Sequence, residues 1–209
     1  EDNIVRLAGS KTYILPRFKE IAPFRYDNPG GTSTQGNPDL DISEVINLDL
    51  SYEYYPNKGE IVSLTGFYKN ISDPISRTEI PSAGNTLTYL NVGDKATVIG
   101  AELEIRKTLF ENELVTLDGS DKDRSSKFGI GFNASYIYSK QDLDDPLAQF
   151  TDDSTELQGA APFLTNFDIN YNTFVGNNNL NTALVFNYFT ERVYSVGTRE
   201  INQGIEKSI

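Results

Sequence analysis

The chain has 209 residues, with 18 Lys and Arg against 30 Asp and Glu and a formal charge of −12; with no basic stripe to neutralise phosphates, nucleic acid is excluded as a partner. Cysteine and histidine are both absent, which removes disulfide frameworks, thiolate chemistry and the commonest general base and zinc ligand, and with them most hydrolase and metalloenzyme functions. No run of about twenty apolar residues occurs, so no transmembrane helix is encoded.

In chain order, seven segments predict strands, and the first spans residues 4–12. It is rich in β-branched and apolar residues, but Gly9 and mixed parity leave its facing open. Residues 44–55 alternate cleanly, with Ile46, Leu48, Leu50, Tyr52 and Tyr54 on one parity and Asn47, Asp49, Ser51 and Glu53 on the other. A period of two means a strand with one wet face. Residues 60–71 resemble the first segment, with Gly66 interrupting them. Residues 96–107 set Ile99, Ala101, Leu103 and Ile105 against Val98, Gly100, Glu102, Glu104 and Arg106. Three charges on one strand face do not sit in a dry core without partners.

Residues 127–139 place Phe128, Ile130, Phe132, Ala134, Tyr136 and Tyr138 opposite Gly129, Gly131, Asn133, Ser135 and Ile137. Residues 163–173 pair the parity of Phe163, Phe167, Ile169 and Tyr171 with that of Asn166, Asp168, Asn170 and Asn172. Residues 179–190 add Leu180, Leu184, Phe186 and Tyr188. Runs of about nine to thirteen residues exceed the usual globular strand and match the nine to eleven that a tilted membrane strand needs.

The connections point the same way. Pro56-Asn57-Lys58-Gly59 and Val175-Gly176-Asn177-Asn178 are tight turns, whereas the outer loops 13–43, 72–95 and 140–162 are far longer than ordinary connections. Residues 108–126 fit that asymmetry worst, although Leu114-Val-Thr-Leu117 extends the flanking strand pattern. Short turns at one rim and long loops at the other are the arrangement of an outer-membrane barrel. Tyr52, Tyr54, Tyr55, Tyr68, Tyr136, Tyr138 and Tyr188 lie toward strand ends, where an aromatic belt sits. A secreted β-sandwich that binds glycan or protein alternates too, and remains the alternative; strand length favours the barrel.

The polar candidates divide by chemistry. Asp49, Glu53, Glu102, Glu104, Arg106 and Asp168 are expected to line a lumen or touch a plug within it, and a minority of such residues contact ligand directly. The acidic outer residues Asp142, Asp144, Asp145, Asp152 and Asp153 offer hard oxygen ligands for calcium, but without EF-hand spacing a solvated surface is the expectation and no cofactor is assigned. Glu102 and Glu104 share a face, yet neighbouring same-face carboxylates are ordinary solvated positions, and no catalytic residue or enzyme activity is assigned. By parity, Ile46, Leu48, Leu50, Leu103, Ile105, Phe128, Ile130, Phe132, Phe167, Ile169 and Leu184 are expected to face lipid, and Asn47, Asp49, Glu102, Glu104, Asn133, Asp168 and Asn170 the lumen.

Lys11-Thr-Tyr-Ile-Leu-Pro-Arg-Phe-Lys-Glu-Ile-Ala-Pro-Phe24, then Gln35-Gly-Asn-Pro-Asp-Leu40, then the strand ending in Tyr52-Glu-Tyr-Tyr-Pro56 form an ordered series. Phe67-Tyr-Lys69, Ala96-Thr-Val-Ile-Gly-Ala-Glu-Leu-Glu104, Leu157-Gln-Gly-Ala-Ala-Pro-Phe163 and Tyr188-Phe-Thr-Glu-Arg-Val193 continue it. Together these stretches resemble the C-terminal half of a TonB-dependent outer-membrane receptor barrel, of the Bacteroidetes type with an N-terminal carboxypeptidase-regulatory-like domain. Leu15-Pro16-Arg17 departs from the family's Arg-Pro order, and Tyr54 stands where tryptophan is frequent. The resemblance implies import of a siderophore, vitamin, glycan or peptide. It also implies a plug inside a twenty-two-stranded barrel, coupling to TonB through that plug, and a surface lipoprotein as a further partner. Seven strands fall short of that barrel, so the chain reads as an all-β, antiparallel up-and-down fragment, with further strands and the plug lying outside residues 1–209.

Overall fold

A computed structural model of the chain describes residues 2–28, 31–80, 86–113, 125–144, 150, 152–175, 178–197 and 204–206. The chain opens with β1 (Asp2–Ile14), a single-turn helix α1 (Phe18–Ile21) and the short strands β2 (Arg25–Asp27) and β3 (Ser33–Gln35). Next come β4 (Ser43–Tyr55), β5 (Ile61–Ser72), β6 (Ile75–Ile80), β7 (Thr86–Asn91), β8 (Lys95–Glu113) and β9 (Ser125–Asp142). The chain closes with β10 (Ser154–Thr155), β11 (Phe163–Val175), β12 (Asn178–Phe189), β13 (Arg192–Ser195) and β14 (Gly204–Glu206).

The long strands form one antiparallel sheet in the order β1-β4-β5-β8-β9-β11-β12, with β10 added to β9. Along this path each long strand pairs with the next long strand in the chain, which is the expected meander. β8 and β9 continue through residues 108–113 and 125–126, so only residues 114–124 of that poorly fitting connection remain, and they lie outside the described residues. Among the described residues β1 and β12 are paired on one side only, and the sheet is open.

Directly opposed residues share a face, so the register assigns every strand. Leu50 pairs with Leu7 and Gly66, Tyr52 with Val5 and Leu64, and Tyr54 with Val62. The apolar set continues through Leu64–Leu103, Val62–Ile105, Ile105–Phe132, Phe132–Phe167 and Phe167–Phe186. The facing of the first and third strands, ambiguous by parity alone, is thereby settled, with Val5, Leu7, Val62 and Leu64 on the apolar side.

That apolar face is the exposed one. Leu48 is 50% exposed, Leu50 55%, Leu64 56% and Leu184 68%, while Asn47, Asp49, Ser51 and Glu53 between them are half-buried on the concave side. A sandwich in water requires the reverse; an apolar convex face matches hydrocarbon. Phe128 and Tyr138, ten positions apart on this face, lie about 34 Å apart along the strand, or roughly 25 Å in height at a barrel tilt near 40°. Phe110 stacks on Phe128 at 5.0 Å between centroids and supplies the lower aromatic edge of that band.

A bulge in β8 between Thr108 and Phe110 puts two residues against one, and leaves Leu109 and Phe110 side by side, each 49% exposed. The Glu60 carboxylate accepts the Thr108 N–H at 3.1 Å and the Asn57 side-chain amide at 2.7 Å. Glu60 is itself buried at the short turn, where Gly59 takes a left-handed φ of 84°. Glu60→Ala strands both donors and is expected to cost about 1–3 kcal/mol in equilibrium unfolding of the receptor, with Glu60→Gln recovering part of it.

Above the opposite rim the long loops are not structureless. β2, β3, β7 and β6 form a second sheet in the order β2-β3-β7-β6, in which β3 and β7 run parallel. Val196, immediately after β13, forms an isolated parallel bridge with Thr78 of β6, and β13 itself pairs with β14. Val92, Leu143 and Val196 are buried together with Leu90 and Phe150 against them, giving this cap its own core. Val45, Ile71, Ala96 and Val98 form a second cluster on the concave face just below, closed by Phe67, Ile137 and Leu157.

Candidate functional site

The six candidate polar residues all lie on the concave face, in four successive cross-strand rows. Nearest the short turns, Arg106 and Asp168 both pair with Gly131, one from each side. The Asp168 carboxylate leans over that glycine, so closely that a Cβ there would meet Asp168 Oδ1 at 2.2 Å. In the next row Glu53 and Glu104 flank Ser63, and the row continues through Asn133 to Asn166. Glu102 follows, opposite Thr65 and Ser135, and the Ser135 hydroxyl lies 3.4 Å from its carboxylate. Asp49 comes last, opposite Ala8 and Phe67.

Part of the charge on this face is internally matched. Arg6 pairs with Glu53, Arg106 with Glu104, and the Lys69 ammonium donates to Asn47 Oδ1 at 2.9 Å. Asn170 donates to Asp168, and Asn172 donates to Asn181 across β11 and β12. The wall thus divides into a charged part on β1, β4, β5 and β8 and an amide-rich part on β9, β11 and β12. A polar surface of this kind solvates a water-filled interior and presents both donors and acceptors to whatever occupies it.

Toward the cap the wall becomes apolar and tightly packed. The Phe67 ring lies over Gly100, where a Cβ would sit 2.3 Å from the ring and 2.7 Å from the Tyr136 carbonyl oxygen. Gln141 is fully buried and its Oε1 accepts the Ser76 hydroxyl at 3.0 Å, tying β9 of the wall to β6 of the cap. Leu143 N donates to Asp153 O at 2.9 Å and Asp144 N to Val92 O at 3.0 Å, so separate loops meet around Val92. In the cap sheet, burial and the neighbouring Tyr26 phenol push the Tyr89 phenol up to about 12.

Of the acidic loop residues, Asp145 lies outside the described residues, and Asp142 stands 4.0 Å from the Lys140 ammonium. Among the described residues no three Asp or Glu side chains gather in a way that could hold a metal ion. Sequence reading missed β6, β7 and β13 as structured parts of the outer region. Their signals are short alternating runs, Ile75-Ser-Arg-Thr-Glu-Ile80, Thr86-Leu-Thr-Tyr-Leu-Asn91 and Arg192-Val-Tyr-Ser195, below the length at which alternation is decisive.

Comparison with known proteins agrees with this architecture. A family model described as TonB dependent receptor-like, beta-barrel matches residues 2–204. Two curated proteins, each named iron-regulated outer membrane virulence protein, are similar to about half the chain. The one from a classical strain of Vibrio cholerae serotype O1 is 32% identical over 112 residues, covering 49% of this chain and 17% of that protein. Its El Tor counterpart is 31% identical over the same length and shares. The chain therefore matches under a fifth of those relatives' length. No solved structure matches the chain significantly. With an apolar convex face, a polar concave face and a family match along nearly its whole length, the chain belongs to the TonB-dependent receptor β-barrel family, whose barrels stand in the cell outer membrane with their long loops extracellular.

Proposed function

We propose that the chain supplies wall and outer cap to an importer that carries a scarce nutrient across the outer membrane, driven by TonB acting on a plug inside the barrel. The observation that carries this reading is the sheet's exposed apolar face, with Leu48, Leu50, Leu64 and Leu184 at least half exposed while the polar residues between them on β4 are half-buried, in a chain of this family. An open sheet in lipid leaves two rows of unpaired backbone groups, so in this reading β1 and β12 pair with further strands of the same receptor. Asp49, Glu53, Glu102, Glu104, Arg106 and Asp168 then line the lumen or contact the plug. The Bacteroidetes-type domain order and a surface lipoprotein partner belong to the same proposal.

Siderophores, vitamins, glycans and peptides all fit a polar wall of this kind. The Vibrio relatives are named for iron regulation, which puts a solute of iron supply first among them. Uptake by cells carrying the full receptor tests the reading. Energy-dependent accumulation of the nutrient is expected to vanish without TonB, and to fall steeply when residues 15–42, 75–91 and 144–161 are replaced by short turns while the barrel still inserts. Accumulation that persists without TonB would replace active import with a passive channel; unchanged uptake after the replacements would remove the cap from substrate capture.

A further inference from the structure

We infer that the apolar ridge formed by Leu15, Phe18, Ile21 and Phe24 is a docking surface for another outer loop of the same receptor, the one that leads into the barrel strand paired with the free edge of β1. The inference rests on the reading that β1 pairs with a further strand, and it adds what that neighbour contacts above the rim.

The four side chains recur at every third residue. Arg17 and Ala22, which bound the single turn α1, are extended, with φ and ψ of −71° and 157° and of −68° and 120°. An extended chain of this kind repeats every three residues and an α turn every 3.6, so a spacing of three keeps the series on one side. Phe18 is 77% exposed, Leu15 66%, Phe24 56% and Ile21 37%. Other groups of the segment are anchored: Ala22 is buried, the Glu20 carbonyl accepts the Asn37 N–H at 2.6 Å, and a Cβ on Gly36 would meet the Ala22 carbonyl oxygen at 2.2 Å. The segment is thus fixed to the cap with its ridge turned outward.

Lipid does not account for this surface. On the convex face of β1 and β4 the Lys11 ammonium and the Glu44 carboxylate pair at 2.7 Å, and two ionised groups on that face mark where hydrocarbon ends. Residues 15–24 lie beyond the pair, on the cap side. In water the Phe18 and Phe24 rings alone leave roughly 200–330 Å² open. With Leu15 and Ile21 added, the patch has the size that marks a contact surface.

Continuity with the sheet names the occupant. Asp2 lies opposite Tyr55 beside the short turn, and Ile14 lies opposite Ser43 at the outer rim, so β1 runs outward and an antiparallel partner on its free edge runs inward. The outer end of that partner stands about 5 Å from the end of β1. Phe18 is four residues past Ile14, at most about 14 Å of chain, so the loop entering the partner strand has to descend past the ridge. Apolar side chains of that loop are its occupant.

Photo-crosslinking in the full receptor, in intact cells, tests this. Phe18→benzoylphenylalanine keeps an aromatic side chain at an exposed position, and Phe24→benzoylphenylalanine is a second variant; the heat-dependent gel shift verifies that each barrel is folded. Both probes are expected to link within one polypeptide, without added mass on a denaturing gel. Digestion is expected to join residue 18 or 24 to the loop that enters the strand paired with β1, with a severalfold lower yield from a probe at the exposed Asp39. Links to lipid, to another protein or to a second copy overturn the inference, as do links confined to residues 1–209, equal yields from Asp39, or no link at all. A probe at Leu7, on the convex face of β1, keeps the underlying reading separate, because cross-strand neighbours lie within about 5.5 Å and a paired β1 links from Leu7 to its partner strand. A link from Leu7 with none from Phe18 or Phe24 defeats the docking surface alone, and no link from any of the three defeats the pairing of β1 as well.

Discussion

Leu48→Arg is expected to destabilise the receptor by about 2–4 kcal/mol in lipid, while Asn47→Arg, one position away, costs little. Leu48 sits midway along β4 on the convex face, between its cross-strand neighbours Gly9 and Tyr68 and half exposed to the surrounding medium. In water an arginine there would be harmless or favourable. In hydrocarbon its guanidinium must be dragged from water or reach the headgroups along its stem, and the depth of the site sets the cost. Asn47 points to the concave face beside Lys69, Ser10 and Thr12, where water accepts another charge. Ile130→Lys on β9 repeats the contrast, with Ile169 and Lys107 as its neighbours. Equilibrium unfolding from lipid vesicles reads all three substitutions. Equal costs at residues 47 and 48, or a larger cost at 47, would turn the sheet inside out and return the chain to a soluble sandwich.

The contrast between these adjacent residues was legible in the sequence because a strand's period of two is local. Ile46, Leu48 and Leu50 declare their side without knowledge of any partner. Register is not local, and this is why the first and third strands, with Gly9 and Gly66, could not be faced until Leu7 and Gly66 were found opposite Leu50. The grouping of the polar candidates had the same limit. Sequence put Arg106 and Asp168 on wet faces of separate strands, but only the pairing of both with Gly131 makes them neighbours across a residue without a side chain.

The cap was hidden for a different physical reason. Ser33, Thr34, Thr78, Thr88 and Ser195 have the composition of exposed loop, yet all are buried. Ser33 and Thr86 share a hydroxyl contact at 3.3 Å, and Thr88 donates to the Gln35 carbonyl at 3.0 Å. The parallel pairings β3 with β7 and Thr78 with Val196 join segments more than fifty residues apart, a distance over which alternation and turn signals carry nothing. Small hydroxyl side chains allow these strands to pack closely, and those of Ser33, Thr34, Thr88 and Ser195 find partners, whereas the Thr78 hydroxyl is buried without one.

Val196→Asp is expected to release the cap while leaving the barrel inserted. Val196 is fully buried, its N–H donates to the Arg77 carbonyl at 2.8 Å, and its carbonyl accepts the Glu79 N–H at 3.2 Å. It therefore holds β13 against β6 and also fills the core shared with Val92 and Leu143. An aspartate there places an unpaired charge in an apolar cluster, a penalty of several kcal/mol, which exceeds what a small peripheral unit is able to absorb without opening. None of Val92, Leu143 and Val196 lies in a long strand, although Leu143 directly follows β9, and the wall meets the cap separately through Gln141, the Ser139 hydroxyl that accepts the Leu157 N–H at 3.0 Å, and the cluster around Val45 and Ile71. Protease added to intact cells is expected to cut the variant within residues 191–197 and 73–94 and to spare them in the wild type. The heat-dependent shift in gel mobility that marks a folded barrel is expected to remain. Val196→Ile, which keeps the site apolar, separates loss of polarity match from simple change of volume and should stay resistant. A variant that loses both protease resistance and the barrel's mobility shift would show that cap and wall fold as one cooperative unit, and a variant that keeps both would show that the β6 and β13 contact does not hold the cap together.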